Sequence, residues 1–577
     1  MSVIIAGINA FHADASAAIY VDGKLVAASE EERFSRIKHQ AGFPHEALRF
    51  CLAEAGVRFR DVNHYVIGRA PDAKLFKKLL YLAGDPVRGF GTALARFKNR
   101  NKVSSIEKEL AETSGLFSFD FRPKVKNVEH HRSHIASAYY PSPFDEAACI
   151  SIDGSGDFTT TMFAQGAGNK IEVLDTVDFP HSIGIFYTAF TQLLGFPYYG
   201  DEYKVMGMAP YGEPIYVDQL FKLVKLIPGG GFKLDLSFFR RGTAGIISYD
   251  ELFRPVVKPL YSEKLTREFG KPRLNDEPLT QYHKDLAASV QRVTELVIFH
   301  LLESLHKHTG LTDLCIAGGV AQNSVANGKI TSNSAFKNVF IPPAGHDAGI
   351  SMGAALYYMH HELGHPRIEK GVSPYLGKST SNEEIESLLK DKNISHIKYD
   401  DEALVAKVAR AIADGKVVGW MQGRAEFGPR ALGGRSILAD PRRKDAKDLI
   451  NLKIKRRESF RPFAPSVLKE ARNEYFEGEE SSPYMERVFP VRIEKRELIP
   501  AVTHVDGSGR VQTVDDALSP KYYALIRKFG EITGVPILLN TSFNENEPIV
   551  NSPEEALLCF KRTEMDMLVM ENFVVER

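Results

Sequence analysis

One pattern occurs twice in the chain and restricts its fold more than any other feature. Residues 3–32 read as an apolar strand (VIIAGIN), a tight polar turn (FHADAS), a second strand (AAIYV), an Asp22-Gly23 turn and a third strand (KLVAASEEE). Residues 148–177 repeat it: ACISID, GSGD, FTTTMFAQ, a glycine-rich turn and KIEVLDTV. Short apolar runs separated by Gly/Asp turns are the signature of antiparallel hairpins. Each copy ends its first strand with imidazole or acidic side chains: His12 and Asp14 in the first, Asp153 and Asp157 in the second. A duplicated β-hairpin unit predicts two related α/β lobes that present those ends to one cleft.

That is the plan of the actin-like and sugar-kinase-like folds, which the first part of the chain resembles. The rest of the pattern is consistent with it. Residues 281–307 carry apolar residues at helical spacing and predict a long helix. LCIAGGVAQNSVANGKI reads as a buried strand, a Gly-Gly turn and a helix start, and NVFIPP leads through AGHDAG into another helix. Gly364, Pro366 and EKGVSPYLGKSTSN mark a break, so residues 1–370 and 371–577 are expected to be separate domains. Residues 213–280 show no assignable motif and read as an insertion.

Composition narrows the function. The 577 residues contain 73 Lys+Arg and 73 Asp+Glu, a formal net charge of zero, which argues against a chain-wide polyanion-binding surface. Cys51, Cys149, Cys315 and Cys559 are scattered singly, without a CxxC pair, which suits a reducing, cytoplasmic compartment. The N-terminus lacks a basic region, and no run approaches the ~18 apolar residues of a membrane helix.

Two short motifs are rejected. Gly377-Lys378-Ser379 mimics the end of a phosphate loop, but its glycine spacing is wrong and Pro374 stands where a strand should feed it. His361-Glu362-Leu363-Gly364-His365 is a literal HExxH, but Gly364 weakens the helix and Pro366 turns His365 out of α geometry. His130 and His134 are better placed: four residues apart in HHRSHIASAYY, they share one helix face. Together with Asp153 and Asp347 they form a two-imidazole, two-carboxylate set suited to divalent Fe, Mn or Zn.

At these motifs the chain resembles the NodU/CmcH-type O-carbamoyltransferases, nearly end to end. Its first part is similar to a TsaD-like domain and its second to a YrdC-like domain. The family's HxxxH pair falls on His130 and His134, its DGxGD on 153–157 and its late metal aspartate on Asp347. FHADASAAIYVDG, EEERFSRIKH, GDEYKVMGMAPYG and GGVAQN also match family segments. The resemblance implies Fe(2+), and ATP with Mg(2+) as co-substrate. It also implies a nucleotide against Gly318, Gly319 and Asn323, and His12 beside the carbamoyl group, where its neutral imidazole accepts the acceptor hydroxyl's proton, oriented by Asp14.

In the second part, the stretch from Trp420 to Glu470 holds thirteen Lys/Arg against six Asp/Glu. Arg424, Arg430 and Arg435 interleave with glycines, and Lys455, Arg457 and Arg461 precede a proline-held segment, a spacing suited to cradling phosphates. Lys455-x-Arg457 and Ser542-x-Asn544 match the K-x-R and S-x-N motifs of YrdC-like domains.

The expected reaction converts carbamoyl phosphate and ATP into carbamoyl-adenylate, then transfers the carbamoyl group to the hydroxyl of a small-molecule alcohol. The resemblance allows a homodimer, and neither a nucleic acid nor a membrane is expected as a partner. The alternatives are a tRNA threonylcarbamoyl-transfer enzyme and a non-enzymatic actin-like nucleotide-binding protein.

Overall fold

The computed structural model describes residues 2–83, 106–240, 247–367 and 370–577. The chain divides into two compact units, Met1–Val372 and Ser373–Arg577.

In the first unit, β1 (Ile4–Asn9), β2 (Ser16–Val21) and β3 (Lys24–Glu30) form an antiparallel meander. Helix α1 (His45–Glu54) then leads to β4 (His64–Ile67), which pairs parallel with β1, and β5 (Val125–Asn127) pairs parallel with β4. The sheet order is β3-β2-β1-β4-β5.

Beyond α2 (His130–Tyr139), the strands β6 (Glu146–Gly156), β7 (Thr159–Ala167) and β8 (Lys170–Asp178) repeat the meander. Helix α3 (Ile183–Leu193) and the 29-residue α4 (Gln281–Thr309) precede β9 (Asp313–Ala317) and β10 (Asn338–Phe340), which add in parallel beside β6. The second order, β8-β7-β6-β9-β10, matches the first strand for strand in position and direction. This is the two-lobed, actin-like duplication that the repeated sequence pattern predicts.

Helix α5 (Ile350–Leu356, ISMGAAL) is small-residue rich and wholly buried, which lets it lie close to both β1 and α2. The Ser16 hydroxyl donates to the Ala348 carbonyl at 2.7 Å, fixing the start of this segment against the first sheet. Within residues 213–280, the short pairs Val224–Leu226/Phe232–Leu234 and Ile247–Tyr249/Pro255–Val257 form two hairpins.

The second unit is built on one nine-stranded sheet. In chain order its strands are β11 (Ile397–Lys398), β12 (Val418–Met421), β13 (Arg435–Ala439), β14 (Ala464–Leu468), β15 (Arg487–Pro490), β16 (Ser508–Val514), β17 (Ile537–Ser542), β18 (Met567–Met570) and β19 (Phe573–Glu576). Helices α6 (Asp401–Ala413) and α7 (Pro520–Thr533) bury their apolar faces in the core that contains Trp420, Leu438 and Val569. A second core holds the alternate residues of the same strands, among them Met421, Ile437 and Leu568. No described helix is long and apolar enough to cross a membrane.

Candidate metal centre and anion site

Helix α2 starts on a side-chain cap, with the Glu129 carboxylate accepting from the Arg132 N–H at 2.8 Å. Helical spacing then puts His130 and His134 on one face, both with no solvent exposure. Asp153 reaches them from β6, its Oδ2 3.1 Å from His130 Nε2 while its Oδ1 accepts the Gly319 N–H at 2.9 Å. Asp347, in the turn before α5, places its Oδ1 3.3 Å from His134 Nε2. One ligand atom from each of the four lies within 4.8 Å of all the others, so the set can hold a metal ion.

The polar bookkeeping around this centre agrees. Nε2 of His134 and Oδ1 of Asp347, which face each other in this cluster, are buried without a hydrogen-bond partner. Buried polar atoms of this kind are costly unless something satisfies them, and a divalent cation would. Burial opposes a charged His130, but Asp153 and Asp347 outweigh it and push its imidazole up to about 9. Burial likewise disfavours an ionised Asp153, yet His130 and His134 hold its carboxyl well below the usual range. Asp157, the second acid of DGSGD, does not join the cluster. It accepts the N–H groups of Ala70 (2.7 Å) and His130 (3.1 Å) and so fixes the start of α2.

His12 lies beside the centre, its ring 5.4 Å from that of His130. Burial first, then Arg69 and His130, lower its pKa well below the ordinary value and leave a neutral imidazole. Asp14 does not orient His12 as expected. Its Oδ1 takes the Nδ1–H of His39 at 2.8 Å, because the left-handed backbone at Asp14 (φ 59°) aims the carboxylate at that ring.

The Gly-Gly turn also serves another purpose than the one expected. A Cβ on Gly318 would stand 2.3 Å from the Ile152 carbonyl oxygen, so glycine is needed for close packing on β6. Gly319 binds Asp153, and Asn323 caps the next helix through the Ala326 N–H (3.0 Å) while pairing with the Gln291 amide. All three residues make protein contacts, while Gly319 stays exposed and Asn323 half-buried. The HExxH histidines do not converge either: the His361 Nδ1 accepts the Ile171 N–H at 3.2 Å, and neither residue belongs to a metal-binding set among the described residues.

In the second unit the K-x-R and S-x-N segments meet. Lys455, 2% exposed, donates from Nζ to the carbonyls of Ser542 (2.7 Å) and Asn544 (2.8 Å) and to Asn544 Oδ1 (2.5 Å). Arg457 donates to Asn451 Oδ1 at 2.7 Å with its guanidinium 4.7 Å from the Phe463 ring, and Arg461 pairs with Glu458 at 3.4 Å. Arg430, Arg457 and Arg461 surround a fourth arginine, Arg510 on β16. Burial and the charges of these three push its pKa well below the normal value. Three guanidinium charges acting on a fourth, buried one mark a candidate anion site.

Sequence reasoning missed Arg510 because it lies forty residues beyond the basic stretch. Its one signal was a charged residue interrupting the strand pattern of SGRVQTV. Two of the arginines expected here do other work. Arg435, fully buried, donates to the carbonyls of Gln422 (3.0 Å), Gly423 (3.1 Å), Gly434 (3.0 Å) and Lys378 (2.7 Å). Arg424 donates to the carbonyls of Gly377 (3.0 Å) and Leu376 (2.6 Å). Both tie the 376–378 loop to the sheet.

Two family profiles cover most of the chain: carbamoyltransferase N-terminus over residues 4–356 and carbamoyltransferase C-terminus over 409–577. The chain belongs to the carbamoyltransferase family. A Synechocystis sp. relative, the uncharacterized protein sll1178, is 44% identical, over 99% of this chain and 96% of its own length. Nodulation protein NolNO of Sinorhizobium fredii is 38% identical, over 99% of this chain and 80% of its own. Among solved structures, T. kodakarensis HypF is a partial likeness, with 14% identity and a TM-score of 0.32 over 63% of this chain and 48% of its own.

Proposed function

We propose that this carbamoyltransferase is an ATP-dependent O-carbamoyltransferase with two active sites. Residues 371–577 act as a YrdC-like adenylate-forming domain, and residues 1–370 as a TsaD-like transfer domain. The observation that carries the reading is the presence, in one chain, of a cation-fitting His/Asp cluster and a separate four-arginine anion cluster.

In the second unit, Arg430, Arg457, Arg461 and Arg510 neutralise the phosphates of carbamoyl phosphate and Mg-ATP, and Lys455 holds the Ser542–Asn544 turn that closes the site. Water releases phosphate from carbamoyl phosphate, and the carbamate attacks the α-phosphate of ATP, yielding carbamoyl-adenylate and pyrophosphate. Carbamate decomposes in water, so the site must exclude solvent during this exchange. In the first unit the acceptor oxygen attacks the carbamoyl carbon and AMP leaves. His130, His134, Asp153 and Asp347 would hold a divalent metal, proposed as iron(II), whose charge would stabilise the departing phosphate. The neutral imidazole of His12 hydrogen-bonds the carbamoyl group. The acceptor is proposed to be a small-molecule alcohol. No disulfide joins the four cysteines, which suits the cytoplasm.

Two variants separate the sites. His130→Ala is expected to lose bound metal and transfer while keeping carbamoyl-phosphate-dependent ATP–pyrophosphate exchange. Arg510→Met is expected to lose that exchange by 100-fold or more, yet still consume supplied carbamoyl-adenylate. Absence of exchange in the wild type, or failure of supplied adenylate to rescue Arg510→Met, rules the reading out.

A further inference from the structure

The resemblance makes His12 the general base for the acceptor hydroxyl, but Asp14 pairs with His39 instead, and burial with Arg69 and His130 lowers the His12 pKa well below its ordinary value. We propose that His39 is this general base and that Asp14 is the residue that positions it. The Asp14 carboxylate accepts from His39 Nδ1, which fixes the tautomer and leaves the lone pair on Nε2. His39 keeps 27% of its side chain exposed against 9% for Asp14, and Nε2 hydrogen-bonds to no described residue. Both residues sit in the left-handed region, at φ 55° and 59°, a conformation rare outside glycine that the surrounding structure must hold in place. Gly200 leaves room at the same edge, since a Cβ there would stand 2.8 Å from His39 Nε2.

Asp14 stands two residues from His12, whose ring lies 5.4 Å from that of His130 in the metal cluster. Burial and then the charges of Asp14, Asp347 and Asp153 all push up the hydroxyl of Tyr199, whose ring packs against His39 at 5.4 Å. The groups around His39 favour a strong base. Burial alone would lower its pKa, but Asp14 and then Glu32 outweigh burial and the opposing Lys38, so it rises above its ordinary value. The nearby Glu202 carboxylate instead accepts from the Thr188 hydroxyl at 2.5 Å.

In the transfer step Nε2 takes the hydroxyl proton as the acceptor oxygen bonds to the carbamoyl carbon. The bond from that carbon to the phosphate oxygen breaks, and its electron pair leaves with AMP. The imidazolium then returns its proton to solvent.

The test rests on the two-site reading and uses the metal-loaded full chain with supplied carbamoyl-adenylate and two acceptors. Glycerol at molar concentration needs a base, whereas hydroxylamine attacks without one. His39→Gln is expected to lower glycerol carbamoylation about 100-fold or more over background, while hydroxylamine capture stays within about twofold. Asp14→Asn is expected to lower the glycerol rate about tenfold. It should also move the acidic limb of its pH profile to lower pH, because His39 loses the charge that raises it.

Equal losses with both acceptors would overturn the proposal in favour of a structural role, as would an unchanged glycerol rate in His39→Gln. A wild type that uses hydroxylamine but not glycerol would overturn it too. So would a second bound metal equivalent lost on His39→Gln, since Asp14, Glu32 and His39 also stand close enough to hold a cation. A wild type that uses neither acceptor defeats the two-site reading itself, and the proposal with it.

Discussion

Arg435 is the sharpest test of which arginines serve phosphate and which serve the fold. Replacing it with Met keeps the aliphatic stem and removes the guanidinium from four carbonyl oxygens. Those of Lys378 and Gly434 keep backbone donors, the N–H groups of Ala425 (3.0 Å) and Gln422 (2.9 Å). That of Gln422 loses a charged donor in a buried pocket, whereas that of Gly423 is only partly buried and can turn to water. Leaving a buried acceptor unsatisfied costs roughly 1–3 kcal/mol, so the Gln422 carbonyl predicts a loss of about 2 kcal/mol.

The chain's single tryptophan reports on this region. Trp420 is fully buried, donates from Nε1 to the Gly433 carbonyl at 2.9 Å and lies opposite Ser436, next to Arg435. With a urea slope of about 2.5 kcal/mol/M, the Trp420 fluorescence midpoint of Arg435→Met should fall by about 0.8 M. A midpoint within about 0.3 M of wild type, combined with loss of carbamoyl-phosphate-dependent exchange, would refute the structural role and return Arg435 to the anion site.

Two other perturbations probe the first unit. A Cβ on Gly156 would stand 2.0 Å from His130 Cδ2, so Gly156→Ala should displace that ring and lower metal affinity at least about tenfold, measured by chelator competition. Unchanged affinity would mean that His130 is not a ligand. Glu31, 4% exposed, caps α1 by accepting the N–H groups of Glu46 and Ala47, and burial pushes its carboxyl up to about 7. An unfolded chain ionises this group near pH 4.5, while the folded one holds its proton until about pH 7. Its stabilising contribution is therefore full below pH 4.5 and falls by roughly 3 kcal/mol as pH rises to 7. Glu31→Gln should remove that decline in urea midpoints followed by circular dichroism, and parallel slopes for the two proteins would contradict it.

The metal cluster was legible in the sequence because its logic is largely local. His130 and His134 share a helix face at any i,i+4 spacing, and Asp153 and Asp347 end a strand and open a helix, where a parallel sheet presents side chains to a cleft. The anion site was half legible. Lys455, Ser542 and Asn544 do meet, but a run of arginines says nothing about where each guanidinium points. Arg435 and Arg424 turn inward to carbonyls left open by the 376–378 loop, and Arg510 arrives from a distant strand to take a place beside Arg430, Arg457 and Arg461. The partner of Asp14 was hidden for a similar reason, since the pairing with His39 depends on two left-handed residues 25 positions apart.

The sequence alone determined the duplicated lobes, the break between two units and the ligands of the candidate metal centre. The lobes and the break follow from hydrophobic pattern and turn residues, and the ligands from a helical histidine pair with acids at a strand end and a helix start. Only the tertiary structure decided what the charged and polar side chains do once in place. Whether an arginine, an aspartate or an asparagine binds a ligand or satisfies the backbone depends on which buried polar atoms lie within hydrogen-bond reach, and that is fixed by contacts between elements far apart in the chain.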